Sequence, residues 1–563
     1  MAGPTSSAEF PVFRLRAGLL ALLLVGSGHA AVRAADCEGL KNLSLPHVTI
    51  SLAQPITDGT YFEDMAVERP GRTYKGLPAF CRVRGVSTPV PGSEIGFEIW
   101  LPQKDWTGRL HMIGNGAYVS NIAIPQMVAR LKAGEVAVGT DTGHKGSELT
   151  FAIGHPETIA DFSYRAVHES VIAAKEITKA YYTAAPHHSY FSGCSTGGYQ
   201  ALTEAQRFPD DFDGIIAGAP GNNRSNLTLA FLWQFLANHR QGDNSAQIVP
   251  NAKLAMVNRA VVAACDRLDG VADGVINDPR ACHFNLASLQ CTAGDGPNCL
   301  TEEQIGAMRK IYAGPKDVRT GKALYPSYTF GAEGAVASEE EKYPGWSGFW
   351  SNPKIPTEPA RADYFRYWVF NDSHWDWWKF NWGSDLDIVR DRVGKITDST
   401  DADLSRFTAH HGKLIMFIGW QDPVGAAGEA SNYYQDVEDH MPGKTKAVRE
   451  KATQDFLRFY MVSGMVHCAG GPGATNFSTA TRDSTPPVGD AKHDMTLALE
   501  DWVEKGAAPD SLIATHYDKN EGPDRKVAFQ RPVCVYPKVA HYKGGPTASA
   551  DSFACVEDKT TSR

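Results

Sequence analysis

A glycine-rich turn around one serine most constrains the fold of this chain. We predict a strand over residues 189–192 and a helix from Gln200 to Arg207, joined by Gly193-Cys194-Ser195-Thr196-Gly197-Gly198. Glycines permit a strained strand-to-helix turn that exposes a serine hydroxyl at the carboxyl edge of a sheet. The segment therefore predicts a nucleophilic Ser195. An ordinary tight turn is the alternative, because glycine and serine are common in turns.

Strands alternate with helices on both sides of this turn. Residues 135–140 and 414–419 are short apolar runs typical of buried parallel strands, 96–101 alternates like a half-buried strand, and 166–182 has a helical pattern. This order predicts an α/β fold. Residues 222–405 are instead rich in Gly, Pro, Trp and Cys, so we expect a domain inserted between core parts at 35–221 and 406–563.

The N-terminal residues are predicted to be a targeting segment. Arg14 and Arg16 precede the apolar run 17–25, and small residues follow. This pattern predicts a secretory signal peptide over 1–34, whereas Asp36 before Cys37 fits a lipidation site poorly. No other stretch approaches the roughly 18 uncharged apolar residues of a membrane span. We expect an exported protein, secreted or periplasmic, without a membrane anchor.

Charge and cysteine content narrow the function classes. With 55 Lys and Arg against 64 Asp and Glu, the net charge is -9. The chain lacks the basic surface of a polyanion binder, so we expect no nucleic-acid partner. Ten cysteines in an exported protein suggest five disulfides. Closeness in sequence favours Cys265–Cys282, Cys291–Cys299 and Cys534–Cys555 without fixing the connectivity.

A serine nucleophile also needs a histidine base and an acid that orients it, in the order Ser, Asp, His for this kind of turn. Asp422 follows the predicted strand 414–419, and His467 follows the apolar stretch 459–462. We predict that they are the acid and the base. The alternatives are an aspartate that only initiates a turn before Pro423, and a histidine with only a structural role.

Two cysteines adjoin these candidates, since Cys194 precedes Ser195 and Cys468 follows His467. If serine and histidine lie within about 3 Å, the Cα atoms of their neighbours can fall in the range of about 4.4 to 6.8 Å that a disulfide needs. A Cys194–Cys468 bridge would leave Cys37 to pair with Cys81. Two buried free thiols are the alternative.

The oxyanion formed when Ser195 attacks a carbonyl requires N–H donors. We predict the backbone N–H of Thr196 as one donor. The glycine-containing segment 111–117 is predicted to supply the other, with Asn115 favoured over Gly114 and Gly116. A plain turn is the alternative for this segment.

These segments together resemble the tannase and feruloyl esterase family of α/β-hydrolases. The resemblance spans about residues 37–555 and lies in 193–198, 212–220, 419–423 and 465–468. It implies an extracellular carboxylic ester hydrolase in which Ser195 is the nucleophile, His467 the base and Asp422 its orienting acid. It also implies the Cys194–Cys468 bridge and a large lid at 222–405.

The resemblance further implies a structural Ca²⁺ in the lid. Its ligands would be the side chains of Asp266, Asp269 and Asp273 and the carbonyls of Val271 and Val275. Calcium prefers such hard oxygen ligands. From the spacing alone, a solvated acidic loop is an equal alternative.

Aromatic residues concentrate in the predicted lid. Residues 343–382 contain 14 aromatics, including seven of the 12 tryptophans. Some could stack on an aromatic acyl group, although the lid's own core is the better explanation for most. The expected substrates are small aromatic esters, or plant polysaccharide and polyphenol esters, with hydroxycinnamoyl groups such as feruloyl first and galloyl second.

Three other functions stay open. The same family includes mono(2-hydroxyethyl) terephthalate hydrolase, in which a lid arginine holds the substrate carboxylate, and Arg361 lies in the matching stretch. Peptide or lipid hydrolysis on the same three residues is a second alternative. A non-catalytic binding protein of this fold is a third, although such relatives typically lose the nucleophile or the base. The oligomeric state is not predicted.

Overall fold

A nine-stranded mixed sheet forms the centre of the protein in a computed structural model. The structure describes residues 36–334, 345–479, 484–519 and 524–558, so the predicted signal peptide lies outside the described residues. The strands are β1 (Val48–Ile56), β2 (Thr60–Phe62), β3 (Thr73–Lys75), β4 (Phe80–Ser87), β5 (Ile95–Pro102), β6 (Arg109–Ile113), β7 (Val136–Thr140), β8 (His188–Cys194), β9 (Gly214–Gly218), β10 (Lys413–Gly419), β11 (Leu457–Val462), β12 (Ser511–Tyr517), β13 (Val527–Cys534), β14 (Val539–Tyr542) and β15 (Phe553–Val556).

The order of strands in the main sheet is β1-β4-β5-β7-β6-β8-β9-β10-β11. Strands β7, β6, β8, β9, β10 and β11 pair parallel, whereas β1, β4 and β5 pair antiparallel and join the rest through β5 and β7. The carboxyl ends of the parallel strands lie at one edge of the sheet, where ligands bind in open α/β folds. The loops after β8, β10 and β11 begin at this edge.

Helices cover both faces of the sheet and fill the segment between β9 and β10. Their bounds are α1 (Ile124–Lys132), α2 (Glu157–Ala160), α3 (Ala166–Tyr182), α4 (Thr196–Arg207), α5 (Arg224–Ala237), α6 (Asn251–Cys265), α7 (Glu302–Ala313), α8 (Ser384–Val389), α9 (Lys395–Thr397), α10 (Ser405–Ala409), α11 (Ala427–His440), α12 (Lys446–Gln454) and α13 (Met495–Lys505). No helix in the described part of the chain has both the length and the apolarity that crossing a membrane requires.

The predicted α/β class is confirmed, as are the strands at 135–140 and 414–419 and the helix at 166–182. The strand predicted at 96–101 is confirmed as part of β5, but its half-buried character was wrong, because nearly all of β5 is buried. Its polar residue, Glu98, is fully buried and accepts hydrogen bonds from Arg82 Nε (2.8 Å) and Trp100 Nε1 (2.7 Å). An alternating sequence can thus be buried on both faces when a buried cation neutralises its carboxylate.

The described residues between β9 and β10 contribute no strand to the main sheet. They form much of two hydrophobic clusters, one around Trp346 and Trp350 and the other around Phe365 and Trp368. Trp346, Trp350, Trp368 and Trp377 are buried, so four of the seven tryptophans in 343–382 pack within the hydrophobic clusters.

Five disulfides join all ten cysteines and leave none free. The pairs are Cys37–Cys81, Cys194–Cys468, Cys265–Cys282, Cys291–Cys299 and Cys534–Cys555. Each pair matches the pairing expected from the sequence. Only Cys194–Cys468 closes a loop longer than 44 residues, since its partners are 274 positions apart.

Candidate active site

Ser195 lies in a strained turn between β8 and α4. Its φ and ψ angles are 64° and -116°, outside the regions that an L-residue with a side chain ordinarily adopts. The turn depends on its glycines, because a Cβ added at Gly193 would lie 2.6 Å from Gly197 and one at Gly198 would lie 2.0 Å from the Gly218 carbonyl oxygen. The ordinary-turn alternative does not account for this strain, which is typical of a nucleophile at a strand-to-helix turn.

Asp422 and His467 are in direct contact. Asp422 follows β10, and its Oδ2 atom lies 2.8 Å from His467 Nδ1. Because the carboxylate only accepts, Nδ1 carries the proton and Nε2 is left to accept one. Both side chains are buried, at 1% and 9% exposure.

Asp422 also initiates a turn, as the alternative interpretation proposed. Its Oδ1 atom accepts hydrogen bonds from the backbone N–H groups of Val424 (2.8 Å) and Gly425 (3.1 Å). One carboxylate oxygen therefore fixes the turn while the other orients the imidazole. The two interpretations of this residue are compatible.

The Cys194–Cys468 disulfide links the residue before Ser195 to the residue after His467. The Cα atoms of the two cysteines are 5.9 Å apart, which brings the turn after β8 and the loop after β11 side by side. The turn that carries Ser195 is therefore covalently joined to the loop that carries His467, which in turn contacts Asp422. Nucleophilic catalysis by a serine requires a histidine base near its hydroxyl, and the disulfide brings the two loops close enough for this.

The two predicted oxyanion donors differ in their surroundings. Thr196 begins α4, and within the described residues no acceptor bonds to its backbone N–H. Its side chain is held by a 2.5 Å hydrogen bond to the Ala117 carbonyl oxygen and a 3.0 Å hydrogen bond from Arg224 Nη2. Thr196 therefore presents a free amide beside Ser195.

Asn115 does not suit the role predicted for it, because its donors are already engaged. Its backbone N–H donates to Gln200 Oε1 (2.9 Å), and its side-chain nitrogen donates to the carbonyl oxygens of Thr140 (2.8 Å) and Asn121 (3.3 Å). Gln200 Nε2 in turn donates to Asn115 Oδ1 (3.2 Å). Asn115 anchors the loop to α4 instead.

Gly116 is the better second donor. Its backbone N–H has no acceptor among the described residues, and Gly116 is exposed, unlike its neighbour Asn115. The contact between Gln200 and Asn115 could have been predicted in part, because Thr196 and Gln200 are one helical turn apart and face the same loop. The choice between Asn115 and Gly116 had no such signal in the sequence.

A group of buried cations and aromatic rings that the motifs did not indicate lies next to Thr196. The Arg224 guanidinium lies 5.0 Å from the Tyr118 ring centroid and 4.5 Å from that of Tyr199. The Arg361 guanidinium lies 5.3 Å from the same Tyr118 ring. Burial alone would raise the pKa of Tyr118, but the two arginines lower it below its ordinary value.

Arg361 lacks a full set of partners. Its Nη1 atom is buried and has no hydrogen-bond acceptor in the described part of the chain, and burial lowers the pKa of its guanidinium. Trp368 contacts the Tyr118 ring edge-on at 5.8 Å, so at least one tryptophan of the aromatic-rich stretch reaches this group. Aromatic rings and arginine guanidinium groups therefore lie together next to Thr196.

The acidic loop of the expected calcium site is held by its own backbone. Asp266 Oδ1 accepts from the N–H groups of Asp273 (3.1 Å) and Gly274 (2.9 Å), and Asp273 Oδ2 accepts from Arg531 Nη2 at 2.5 Å. Burial, followed by the nearby Asp273 and Asp266 carboxylates, raises the pKa of Asp269 to about 6.

These groups fit a calcium ion. Of the three carboxylates only that of Asp273 pairs with an arginine, and no donor among the described residues bonds to the carbonyl oxygens of Val271 and Val275. Hard oxygen atoms with excess negative charge are what Ca²⁺ prefers. The loop therefore offers oxygen ligands of the kind that the sequence resemblance implied, and the bound calcium stays a prediction.

Comparisons with known proteins agree with this geometry. A family model described as tannase and feruloyl esterase matches residues 81–556. An uncharacterized esterase of Xanthomonas campestris is 36% identical over 563 residues, covering 97% of this chain and 94% of its own. A probable feruloyl esterase B of Aspergillus clavatus is 31% identical over 559 residues, covering 96% and 100%. The crystal structure of feruloyl esterase B from Aspergillus oryzae superposes with a TM-score of 0.80 at 30% identity, covering 92% and 99%.

Proposed function

The chain belongs to the tannase and feruloyl esterase family and is a carboxylic ester hydrolase, and we propose that it cleaves aromatic esters through a covalent acyl-serine. The observation that carries the proposal is the joint position of the strained Ser195, the Asp422–His467 pair and the disulfide that connects their loops.

In the first half of the reaction, the Ser195 hydroxyl attacks the ester carbonyl and gives its proton to His467 Nε2. Asp422 accepts from Nδ1–H, which keeps the imidazole in the required tautomer and stabilises its charged form. The backbone N–H groups of Thr196 and Gly116 donate to the oxyanion. His467 then protonates the leaving alcohol, and the acyl group stays on Ser195.

In the second half, a water molecule gives a proton to His467 Nε2 and attacks the acyl-serine carbonyl. Collapse of the second tetrahedral intermediate returns that proton to Ser195 Oγ and releases the carboxylic acid. No step needs a metal or a redox cofactor, since each proton moves between Ser195, His467, water and the alcohol.

The aromatic group beside Thr196 supports an aromatic acyl substrate. Tyr118 stacks on Phe162 with ring centroids 5.0 Å apart, and Trp368 meets both rings edge-on. Such rings bind planar acyl groups by offset or edge-to-face contact. Hydroxycinnamoyl esters such as feruloyl esters of plant polysaccharides are the first candidates, and galloyl esters of polyphenols are the second.

Release of free acid from a panel of esters tests this proposal. We expect turnover of methyl ferulate to exceed that of methyl gallate and of mono(2-hydroxyethyl) terephthalate. A long-chain acyl ester and a peptide amide serve as controls, and both should be cleaved slowly or not at all. Faster cleavage of either control than of every aromatic ester would contradict the proposed substrate class.

Arg361 supports a second candidate, hydrolysis of aromatic esters whose acyl part carries a free carboxylate. A monoester of terephthalic acid is such a substrate. The Nη1 atom of Arg361 has no acceptor in the described part of the chain, and arginine binds carboxylates through two parallel hydrogen bonds. A carboxylate beside Tyr118 would satisfy this guanidinium.

For this second candidate, Arg361→Gln should reduce kcat/KM on mono(2-hydroxyethyl) terephthalate by about 100-fold, because a buried charge pair is lost. Methyl ferulate, which has no carboxylate, should be affected much less. Steady-state kinetics on both esters measures the difference. Arg309→Gln, at an exposed position of α7, is the matched control and should change neither value. Equal losses on the two esters would contradict carboxylate recognition by Arg361.

We also propose that the protein is exported and that residues 222–405 act as a lid over the site. The signal-peptide pattern and the five disulfides support export. The position of Arg361 and Trp368 next to Tyr118 supports a lid that contributes to the substrate pocket.

Finally, we propose that the loop around Asp266, Asp269 and Asp273 binds a structural Ca²⁺, with the carbonyls of Val271 and Val275. The ion would neutralise the loop carboxylates and hold the loop against Arg531.

Removal of calcium should therefore lower the thermal stability of the protein. A ligand present at 100 times its Kd stabilises the folded state by about 2.7 kcal/mol, so a chelator should lower Tm and added Ca²⁺ should restore it. Mg²⁺ should restore it poorly, because it demands a smaller octahedral site. Differential scanning calorimetry measures the shift, and Asp269→Asn should abolish it. A wild-type Tm that is the same with and without Ca²⁺ would refute the site.

A further inference from the structure

A cluster of metal-ligating side chains lies at the C-terminal end of α4, the helix that begins directly after Ser195. It consists of His168 on α3, Glu204 in the last turn of α4, and Asp211 in the loop before β9. Glu204 is nine residues after Ser195, about 13 Å along the helix axis. None of the three takes part in the mechanism above.

The three side chains converge on one point. Each offers one ligand atom, and the three atoms all lie within 4.8 Å of one another. His168 Nδ1 is 2.6 Å from Asp211 Oδ2. Glu204 is 1% exposed, and no hydrogen-bond donor in the described part of the chain reaches either of its carboxylate oxygens.

His168 is the basic side chain in contact with Asp211, whereas neither carboxylate oxygen of Glu204 has a hydrogen-bond partner among the described residues. Lys175 Nζ is nearby, but it donates to the backbone carbonyl oxygens of Asp210 and Asp211. His168 contacts Asp211 only on its Nδ1 side and is partly exposed. A buried carboxylate without a donor or cation is strongly unfavourable, so Glu204 must either share a proton with Asp211 or bind a cation.

A comparable cluster elsewhere in the chain has its own cations. His111, Glu135 and Glu500 also lie within 4.8 Å of one another and are buried. There, Arg109 Nη1 lies 2.8 Å from Glu500, and Arg130 Nη1 lies 3.7 Å from both carboxylates. At that cluster arginine side chains already balance the negative charge of the carboxylates, so no metal ion is needed there.

We propose that His168, Glu204 and Asp211 bind one divalent transition-metal ion, of which Zn²⁺ is the best match. One imidazole nitrogen and two carboxylate oxygens form a ligand set suited to Zn²⁺, whereas Ca²⁺ prefers oxygen ligands alone. The partly exposed side of His168 gives access for the ion and for a water molecule as fourth ligand. The ion would tie α3 and the end of α4 to the loop that leads into β9.

Zinc binding to the purified, calcium-saturated protein tests this proposal. Isothermal titration with ZnCl₂ should show one site, and the same zinc should raise Tm. Glu204→Gln and His168→Asn should each weaken zinc binding by more than about 100-fold, since loss of a direct ligand costs more than loss of its supporting partners. His410→Gln is the matched control, because His410 pairs with Asp210 at the surface nearby and is not one of the three ligands.

The Glu204→Gln variant distinguishes between two explanations of the buried carboxylates, a bound metal ion and a shared proton. Glutamine has the shape of a protonated glutamate, so it should preserve stability without zinc under either explanation. Zinc should then raise the Tm of the wild type and of His410→Gln but not that of Glu204→Gln. The proposal would be overturned if the wild type bound no zinc. It would also be overturned if Glu204→Gln and His168→Asn bound zinc as tightly as the wild type, or if only His410→Gln lost binding.

Discussion

Ser195→Ala should lower kcat on any ester that the enzyme cleaves by about 10⁴-fold or more. Alanine has no hydroxyl to form the acyl-enzyme, whereas Asp422, His467 and the oxyanion donors stay in place. The residual rate should come from the oxyanion site and substrate binding alone. Single-turnover assays with methyl ferulate measure the effect, and mass spectrometry should show a covalent acyl adduct on the wild type but not on the variant.

The fold should survive this substitution, because alanine keeps the volume of the turn and adds no atom. Equal Tm values for wild type and Ser195→Ala would show this. Ser405→Ala, at an exposed position far along the chain, is the matched control and should keep full activity. If Ser195→Ala keeps more than about a tenth of the wild-type rate, another nucleophile acts. If the wild type cleaves none of the tested esters, the proposed aromatic substrate class is contradicted.

Much of this site was predictable because its chemistry depends on local sequence. The glycines around Ser195 are required by contacts under 3 Å in the turn, so the motif predicts the strained serine directly. Asp422 and His467 follow from strand ends and chain order, since the carboxyl ends of parallel strands meet at one edge. The cysteines beside Ser195 and His467 predicted independently that the turn after β8 and the loop after β11 are adjacent, and their disulfide confirms this.

Other features depend on contacts that no local pattern encodes. Asn115 was favoured over Gly116 as a donor from the sequence, and only the hydrogen bonds from Asn115 to Gln200 and Thr140 reverse that order. The alternation in β5 suggested one exposed face, but Arg82 on the neighbouring strand neutralises Glu98. The cations next to Tyr118 come from positions 224 and 361, which are joined only by the packing of the inserted segment.

Loss of the Cys194–Cys468 disulfide should impair stability and activity together. In the chain-entropy model, a bridge across 274 positions stabilises the fold by about 5 kcal/mol. Its removal should also let the loop after β11 shift relative to the turn after β8. A displacement of about 1 Å between catalytic groups can cost about 100-fold in rate. The double variant Cys194→Ala, Cys468→Ala should therefore lose both properties, whereas each cysteine pair in the lid should affect stability alone.

The matched control removes a disulfide of similar chemistry but short span. Cys291 and Cys299 are only 8 positions apart, so Cys291→Ala, Cys299→Ala should cost less than about 3 kcal/mol. Its kcat/KM should stay close to the wild-type value. Denaturant unfolding measures the free energies of unfolding, and kinetics at a temperature where both variants are folded measure activity. A bridge that only stabilised the chain would leave the folded Cys194→Ala, Cys468→Ala variant as active as the control. We expect instead that its kcat falls far more than its KM rises, because the bridge holds the base next to the nucleophile rather than binding the substrate.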